Sequence, residues 1–487
     1  MENVIKELDH KDLTRFYISL VVMATIGGFL YGYDQSDIGS VLIFIPYYSG
    51  ASAFVVGYMA SGALLGAAIG AIVAAFLTDR FGRKAFLIAD IAVYIIGLIL
   101  SIATTDVLML MIARTVVGFA IGADSAIATA YISEFAPEKH RGALGGHQQY
   151  MIIIGIFMSY LVAMVIFLLI PGFAYSIDWR AILGLAIIPA IIALIYRAKM
   201  PESPRWLILN KKFEKAKKTL KYFEINANDS DLNYTYNVLS DEIKNSRKLD
   251  KGAMRALLIS GLFMFFMIAN GVNVPMIYGP YIISKLHIFP SGVGAIMNDV
   301  YSIAATVILV LIMLIATYVG MKKVDSVGRR KLALIGFAGM AISDFVGGAL
   351  YLMHIDIALL IGLAGYLVFF GIGGGIIGWL IQGEYFPTVK RGFFAAFGAL
   401  SEWITSFAID EIFPYMDGTI HLGYSVIIFS VISVVAFITL YYIMPETNGM
   451  TLEEVSRMFM SSNLLDLRKY NNKDVIKYDN KDKDNNI

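Results

Sequence analysis

Asp79-Arg-Phe-Gly-Arg-Lys84 returns as Asp325-Ser-Val-Gly-Arg-Arg330, 246 residues further on. Two more pairs follow in the same order at nearly the same offset. Glu134-Phe-Ala-Pro-Glu-Lys-His-Arg-Gly142 returns as Glu384-Tyr-Phe-Pro-Thr-Val-Lys-Arg-Gly392 after 250 residues, and Pro201-Glu202 returns as Pro445-Glu446 after 244. In a chain of 487 residues, a repeat at about half the length means two equivalent halves. Transport proteins built this way place their substrate between the halves, near the middle of the bilayer, and rock one half against the other.

The residues around the repeat are apolar. Of the chain, 58% is hydrophobic and only 16% charged, which excludes a soluble globular fold. A helix needs roughly 20 apolar residues to cross the hydrocarbon core, and runs of that length recur between Phe16 and Met444. They are too long and continuous for barrel strands, so helices satisfy the backbone. The predicted spans are 16–38, 54–78, 85–104, 107–132, 144–170 and 180–198, then 253–284, 294–321, 331–353, 357–385, 391–414 and 421–444. The expected fold is all-α and integral to the membrane, with twelve helices in two pseudo-symmetric six-helix bundles. Residues 1–15 form an N-terminal segment, 16–198 the first bundle, 199–252 a polar linker, 253–444 the second bundle and 445–487 a tail. The linker pattern Phe213-Glu-Lys-Ala-Lys-Lys-Thr-Leu220 predicts short surface helices.

Basic residues stay on the cytoplasmic side. Of the 39 Lys and Arg, all but Arg114, Arg180 and Lys285 lie in or beside the termini and the even-to-odd loops, so both termini are expected inside the cell membrane. Met1 to Arg15 is charged and lacks a small-residue cleavage site, so the first apolar run reads as a retained span. The sequons at Asn228 and Asn233 then face the cytoplasm and read as chance matches. The segment after Leu465, rich in Asn, Lys and Asp, has little to bury and is expected to be disordered. The absence of Cys removes disulfides, thiolate metal sites and cysteine catalysis, and a net charge of +1 argues against nucleic acid.

Several motifs taken together resemble the sugar porter family of the major facilitator superfamily. They are Gly32-Tyr-Asp34, Asp79 to Lys84, Arg114-Thr-Val-Val-Gly118, Tyr131-Ile-Ser-Glu134 with Pro137 and Arg141-Gly142, and Pro201-Glu-Ser-Pro-Arg-Trp206. The second half adds Asp325 to Arg330 and Pro445-Glu-Thr447 with Leu452-Glu-Glu454. The resemblance covers essentially the whole membrane-embedded chain. It implies a network of Arg83, Arg141, Arg329 and Arg391 with Glu134, Glu202, Glu384 and Glu446 that closes the inside when the outside is open. Arg–carboxylate pairs of this kind are strong when partly desolvated, yet remain breakable.

Asp34 lies well inside the first run, where an unpaired carboxylate costs on the order of 2.5–3.5 kcal/mol on insertion scales. Arg114, deep in a span of the same half, is the expected partner. A carboxylate alternately paired and released can carry a proton, whereas a permanent pair would be structural. Proton-coupled members that resemble this sequence have Asp and Arg at these two positions. The resemblance also implies that Gln149, Asn273, Tyr278 and Trp379 bind sugar, whose hydroxyls need hydrogen bonds and whose C–H faces stack on aromatic rings.

Departures from the family pattern fall mainly in the second half. Met267 and Ile268 stand where paired Gln are usual, and Met313 where Asn is expected. Gly371-Ile-Gly-Gly-Gly-Ile-Ile-Gly-Trp379 replaces a Pro-containing hinge, and Glu402 replaces an amide. Glu402 could accept hydrogen bonds from a sugar, titrate as a second proton site or pair with a cationic solute. Asp37, Asp410 and Glu411 are expected in a water-filled outer vestibule, and Asp124 is a further carboxylate within a span. The reading is therefore a secondary transporter, a monomer surrounded by lipid, that moves a sugar or polyol with protons and needs no cofactor or metal. The alternatives are a carrier of a different, possibly cationic solute and a transporter-like nutrient sensor. Walker, zincin and serine-hydrolase motifs are missing, which argues against an enzyme or an ATP-driven pump.

Overall fold

In the computed structural model, the described residues are 3–9, 15–45, 51–135, 141–169, 179–245, 251–286, 288–289, 295–386, 391–450, 452–461, 464 and 467. Of the expected disordered segment after Leu465, only Leu467 lies among them, and it is buried; the rest falls outside. The first five spans are Arg15–Val41, Ala53–Phe81, Arg83–Ile102, Val107–Phe135 and Arg141–Leu169, and the sixth is Trp179–Leu185 continued by Ile187–Lys199. The second half repeats this order. Its seventh span comprises Lys251–Ala269, Asn273–Ile277 and Gly279–Ser284, followed by Ala295–Val327 and Arg329–Leu352. The tenth is Asp356–Phe369 and Gly375–Glu384 with a π turn, Phe370–Gly374, between them. Arg391–Thr419 and Leu422–Ile443 complete the set. Among the described residues, ten spans meet length and hydropathy criteria for crossing a membrane, and the outer faces carry exposed Ile99, Ile192, Ile308, Ile342 and Ile361. Apolar side chains so placed are at home in lipid, and the chain is a multi-pass membrane protein.

The repeated motif explains its own glycines. Gly82 and Gly328 stand between spans two and three and between eight and nine, at φ 97° and 99°, where L side chains are strained. A Cβ at either would also collide with a carboxylate, Glu202 in one half and Glu446 in the other. Elsewhere, small residues let helices touch. Gly118 and Gly122 of the fourth span lie against the backbone of Ala63 and Ala67 in the second.

The halves meet chiefly where the second span packs on the eleventh and the fifth on the eighth. The seventh span breaks at Gly271, whose φ is 88° and which lies over the Phe429 ring. The linker helices Pro204–Leu209, Phe213–Lys221 and Asp229–Asn245 share a small apolar core with helix Val4–Asp9, built from Leu8, Trp206, Leu220, Phe223 and Leu232. The Val4 amide donates to Thr235 Oγ1 at 3.2 Å, fixing the N-terminal helix to the linker.

Candidate transport site and gates

A small cavity lies between the halves, lined by Tyr31, Asp34, Gln35, Arg114, Ile277 and Trp403 among others. Arg114 Nη1 donates to Asp34 Oδ1 at 2.6 Å, and both side chains are 2% exposed. Asp37, one turn further along the first span, brings Oδ1 to 3.8 Å from the same nitrogen. It is fully buried, and neither of its oxygens has a hydrogen-bond partner among the described residues. Asp37 therefore does not stand in an aqueous vestibule, because its turn of helix faces Arg114 and the interior.

Asp410 corrects the same expectation. It is fully buried, accepts from Asn273 Nδ2 at 3.1 Å through Oδ2, and accepts from the Tyr278 hydroxyl at 2.8 Å through its backbone carbonyl. Two of the predicted sugar ligands are thus joined across the seventh and eleventh spans by a residue read from sequence as solvated. Glu411, half-buried, accepts from Ser61 Oγ at 2.8 Å and links the eleventh span to the second.

The remaining site residues are buried. Gln149 stands on the fifth span, with its amide nitrogen 3.1 Å from where a Cβ on Gly375 would be, so the glycine admits it against the tenth span. Trp379 follows one turn on, 3% exposed, with Nε1 unpartnered among the described residues. Glu402 is 2% exposed with Oε2 unpartnered, and the neighbouring Trp403 packs edge-on to Tyr31 at 5.0 Å. Tyr31 lies within electrostatic reach of Asp34, Glu402 and Asp410. The Met267 side chain packs against Gly378, filling space where the family pattern has an amide, and the Met313 backbone carbonyl lies against Gly371.

Sequence reasoning missed Gln35, Gln382, Trp403 and Ser406. Each is buried on the first, tenth or eleventh span and has a polar atom without a partner among the described residues. The signal available was a polar residue in an apolar run, which does not say which face it occupies. Buried polar atoms are rarely left unpaired, and Gln35 and Trp403 line the cavity between the halves, where a polar ligand would meet them.

At the ends that carry the repeated motif, the two halves repeat one arrangement. Arg83 Nε and Nη2 reach Glu134 Oε1 at 3.1 and 3.0 Å, and Arg329 Nε and Nη2 reach Glu384 Oε2 and Oε1 at 3.3 and 2.8 Å. Glu202 accepts the backbone amides of Arg83 and Lys84 at 3.0 and 3.2 Å. Glu446 accepts those of Arg329 and Arg330 at 2.9 and 3.1 Å. Both carboxylates cap a helix N-terminus, satisfying amides that have no intrahelical partner. Each of these pairs lies within one half, and the side chains of Arg141 and Arg391 fall outside the described residues.

Of the basic residues away from that face, Arg180 donates to the Ile102 and Thr104 carbonyls at 3.1 and 2.7 Å and stacks on Trp179. Lys285 pairs with Asp417 at 2.6 Å.

The sequence profile of the sugar (and other) transporter family matches residues 20–459. The glucose transporter GlcP of Staphylococcus epidermidis is 31% identical over 450 residues, covering 90% of this chain and 96% of its own. The arabinose-proton symporter of Bacillus subtilis is 30% identical, covering 91% and 95%. Among solved structures, the proton:xylose symporter XylE bound to 6-bromo-6-deoxy-D-glucose aligns with a TM-score of 0.78 at 26% identity, over 91% of this chain and 99% of that one. The inward open conformation of XylE from E. coli aligns with a TM-score of 0.72 at 25% identity, over 91% and 99%.

Proposed function

Because the chain belongs to the sugar (and other) transporter family, we propose that it carries a sugar or related polyol across the cell membrane by alternating access, in symport with protons. It is a transporter and not an enzyme. The observation that carries the reading is the Asp34–Arg114 pair in the wall of a cavity between the two halves. The relatives named as proton symporters for arabinose and galactose, and the structural likeness to a proton:xylose symporter, support the sugar and the proton alike.

Protonation of Asp34 removes the charge that holds Arg114. The guanidinium then has Asp37 within one helical turn, so it need not face the apolar interior alone. This frees the first span to move relative to the fourth. Solute binding belongs to Gln149, Trp379 and Glu402, with Asn273 and Tyr278 acting through Asp410. The helix-end clamps at Arg83–Glu134 and Arg329–Glu384 hold each half rigid at the cytoplasmic face, and Arg141 and Arg391 complete the inner gate. Both termini and the linker lie in the cytoplasm, in line with the distribution of basic residues.

Uptake by proteoliposomes of hexoses, pentoses, polyols and amines tests the assignment. A sugar or polyol should be preferred, and Gln149→Ala and Trp379→Ala should each reduce its uptake at least tenfold, about 1.4 kcal/mol or more of lost binding. A second reading rests on Glu402, whose buried carboxylate oxygen has no partner among the described residues and could meet an ammonium group. Preference for an amine would establish that reading and overturn the first.

A further inference from the structure

A second set of buried charges lies inside the N-terminal half, between the central pair and the cytoplasmic face. Arg197, at the end of the sixth span, donates through Nη1 to Asp90 Oδ1 at 3.2 Å and to the Leu87 carbonyl at 3.0 Å. Through Nη2 it donates to the Ala24 carbonyl at 3.2 Å and pairs with Asp124. The three side chains are almost inaccessible. On the fourth span Arg114, Asp124 and Glu134 follow at ten-residue intervals, so Asp124 stands about 15 Å along the axis from each. It is halfway from the transport site to the Arg83–Glu134 clamp.

The charges do not balance. Two carboxylates face one guanidinium in an apolar interior. A net negative charge is costly there, and one proton bound by the pair neutralises it. The charged groups that meet there are Asp90 from the third span, Asp124 from the fourth and Arg197 from the sixth, with the Tyr94 phenol beside them. The first span contributes the Ala24 carbonyl and Gly27, where any side chain would collide with the Asp124 carboxylate.

A route joins this cluster to the centre. A second small cavity is lined by Gly27, Leu30, Asp90, Tyr94, Ile121 and Asp124, and Ile121 also lines the central cavity. The Tyr94 hydroxyl donates to the Leu30 carbonyl at 3.3 Å and is within electrostatic reach of Asp34 and Asp37. A structural clamp on Arg197 needs one carboxylate and no cavity. We propose that the Asp90–Arg197–Asp124 cluster is a second proton-binding site, which releases a proton toward the cytoplasm and is refilled from Asp34 by way of Tyr94. One proton moves, only O–H bonds break and form, and the route is separate from that of the solute.

The inference rests on the proton coupling proposed above, and its test separates the two. Full-length Asp90→Asn and Asp124→Asn are reconstituted beside wild type and Asp34→Asn, each variant in the cluster leaving Arg197 one carboxylate. Accumulation driven by a pH gradient should be lost in both, solute counterflow without a gradient should persist, and Asp124→Glu should regain accumulation. Wild-type accumulation in both Asn variants, with accumulation lost in Asp34→Asn, overturns the relay alone. No accumulation by wild type overturns the coupling and the relay with it. If an Asn variant does not fold, Tyr94→Phe decides, since it removes only the hydroxyl between the cavities. Slowed pH-driven uptake with unchanged counterflow supports the route, and wild-type pH-driven uptake contradicts it.

Discussion

Glu202 and Glu446 each accept the first backbone amides of a helix that begins more than a hundred residues earlier in the chain. A carboxylate at a helix N-terminus is favoured by the unpaired amides and by the macrodipole, so Glu202→Gln should be mild and Glu202→Ala should cost about 0.5–2 kcal/mol. Thermal melting in detergent measures the difference, and equal melting of the two variants would contradict the capping role. Glu402 offers a sharper contrast. If it accepts sugar hydroxyls, Glu402→Gln should keep uptake within about tenfold of wild type, because an amide oxygen still accepts. For a cationic solute the loss should be far larger. The sequence marked Asp34, Arg114, Arg83, Glu134, Arg329 and Glu384, because charge in or beside an apolar run is conspicuous. It misread Asp37 and Asp410, since hydropathy reports that a residue is polar but not whether its turn of helix faces water or another helix.

Spans were legible as elements, because a run of apolar residues long enough for the bilayer has few other outcomes. Interruptions were not. The seventh span reads as one run from 253 to 284, yet it breaks at Gly271 and again at Tyr278, placing Asn273 and Tyr278 against the eleventh span. The glycine run of the tenth span carries a π turn at Phe370–Gly374 just before Trp379, and such turns commonly mark functional segments. Gly271→Ala places a side chain at φ 88° and against the Phe429 ring, so it should destabilise by more than about 1 kcal/mol. The melting temperature should fall and solute uptake should fall with it. An unchanged melting temperature would mean that the break is not required.

The whole molecule combines a repeat that builds its frame with residues that occur in only one half. The clamps at Arg83 and Arg329 are the same device twice, and the repeated motif announced them. The two buried clusters around Arg114 and Arg197 belong to the N-terminal half alone, while the Asn273–Asp410–Tyr278 contact belongs to the C-terminal half. No repeat could reveal these, because they arise from helices brought together only by folding. This asymmetry suggests a division of labour in which the first half handles the proton and the second shapes the solute site. The most direct test is sugar accumulation by proteoliposomes under an imposed pH gradient, comparing wild type with Asp34→Asn. The account predicts that the variant loses accumulation yet still exchanges sugar across the membrane. Equal accumulation by both proteins would contradict it.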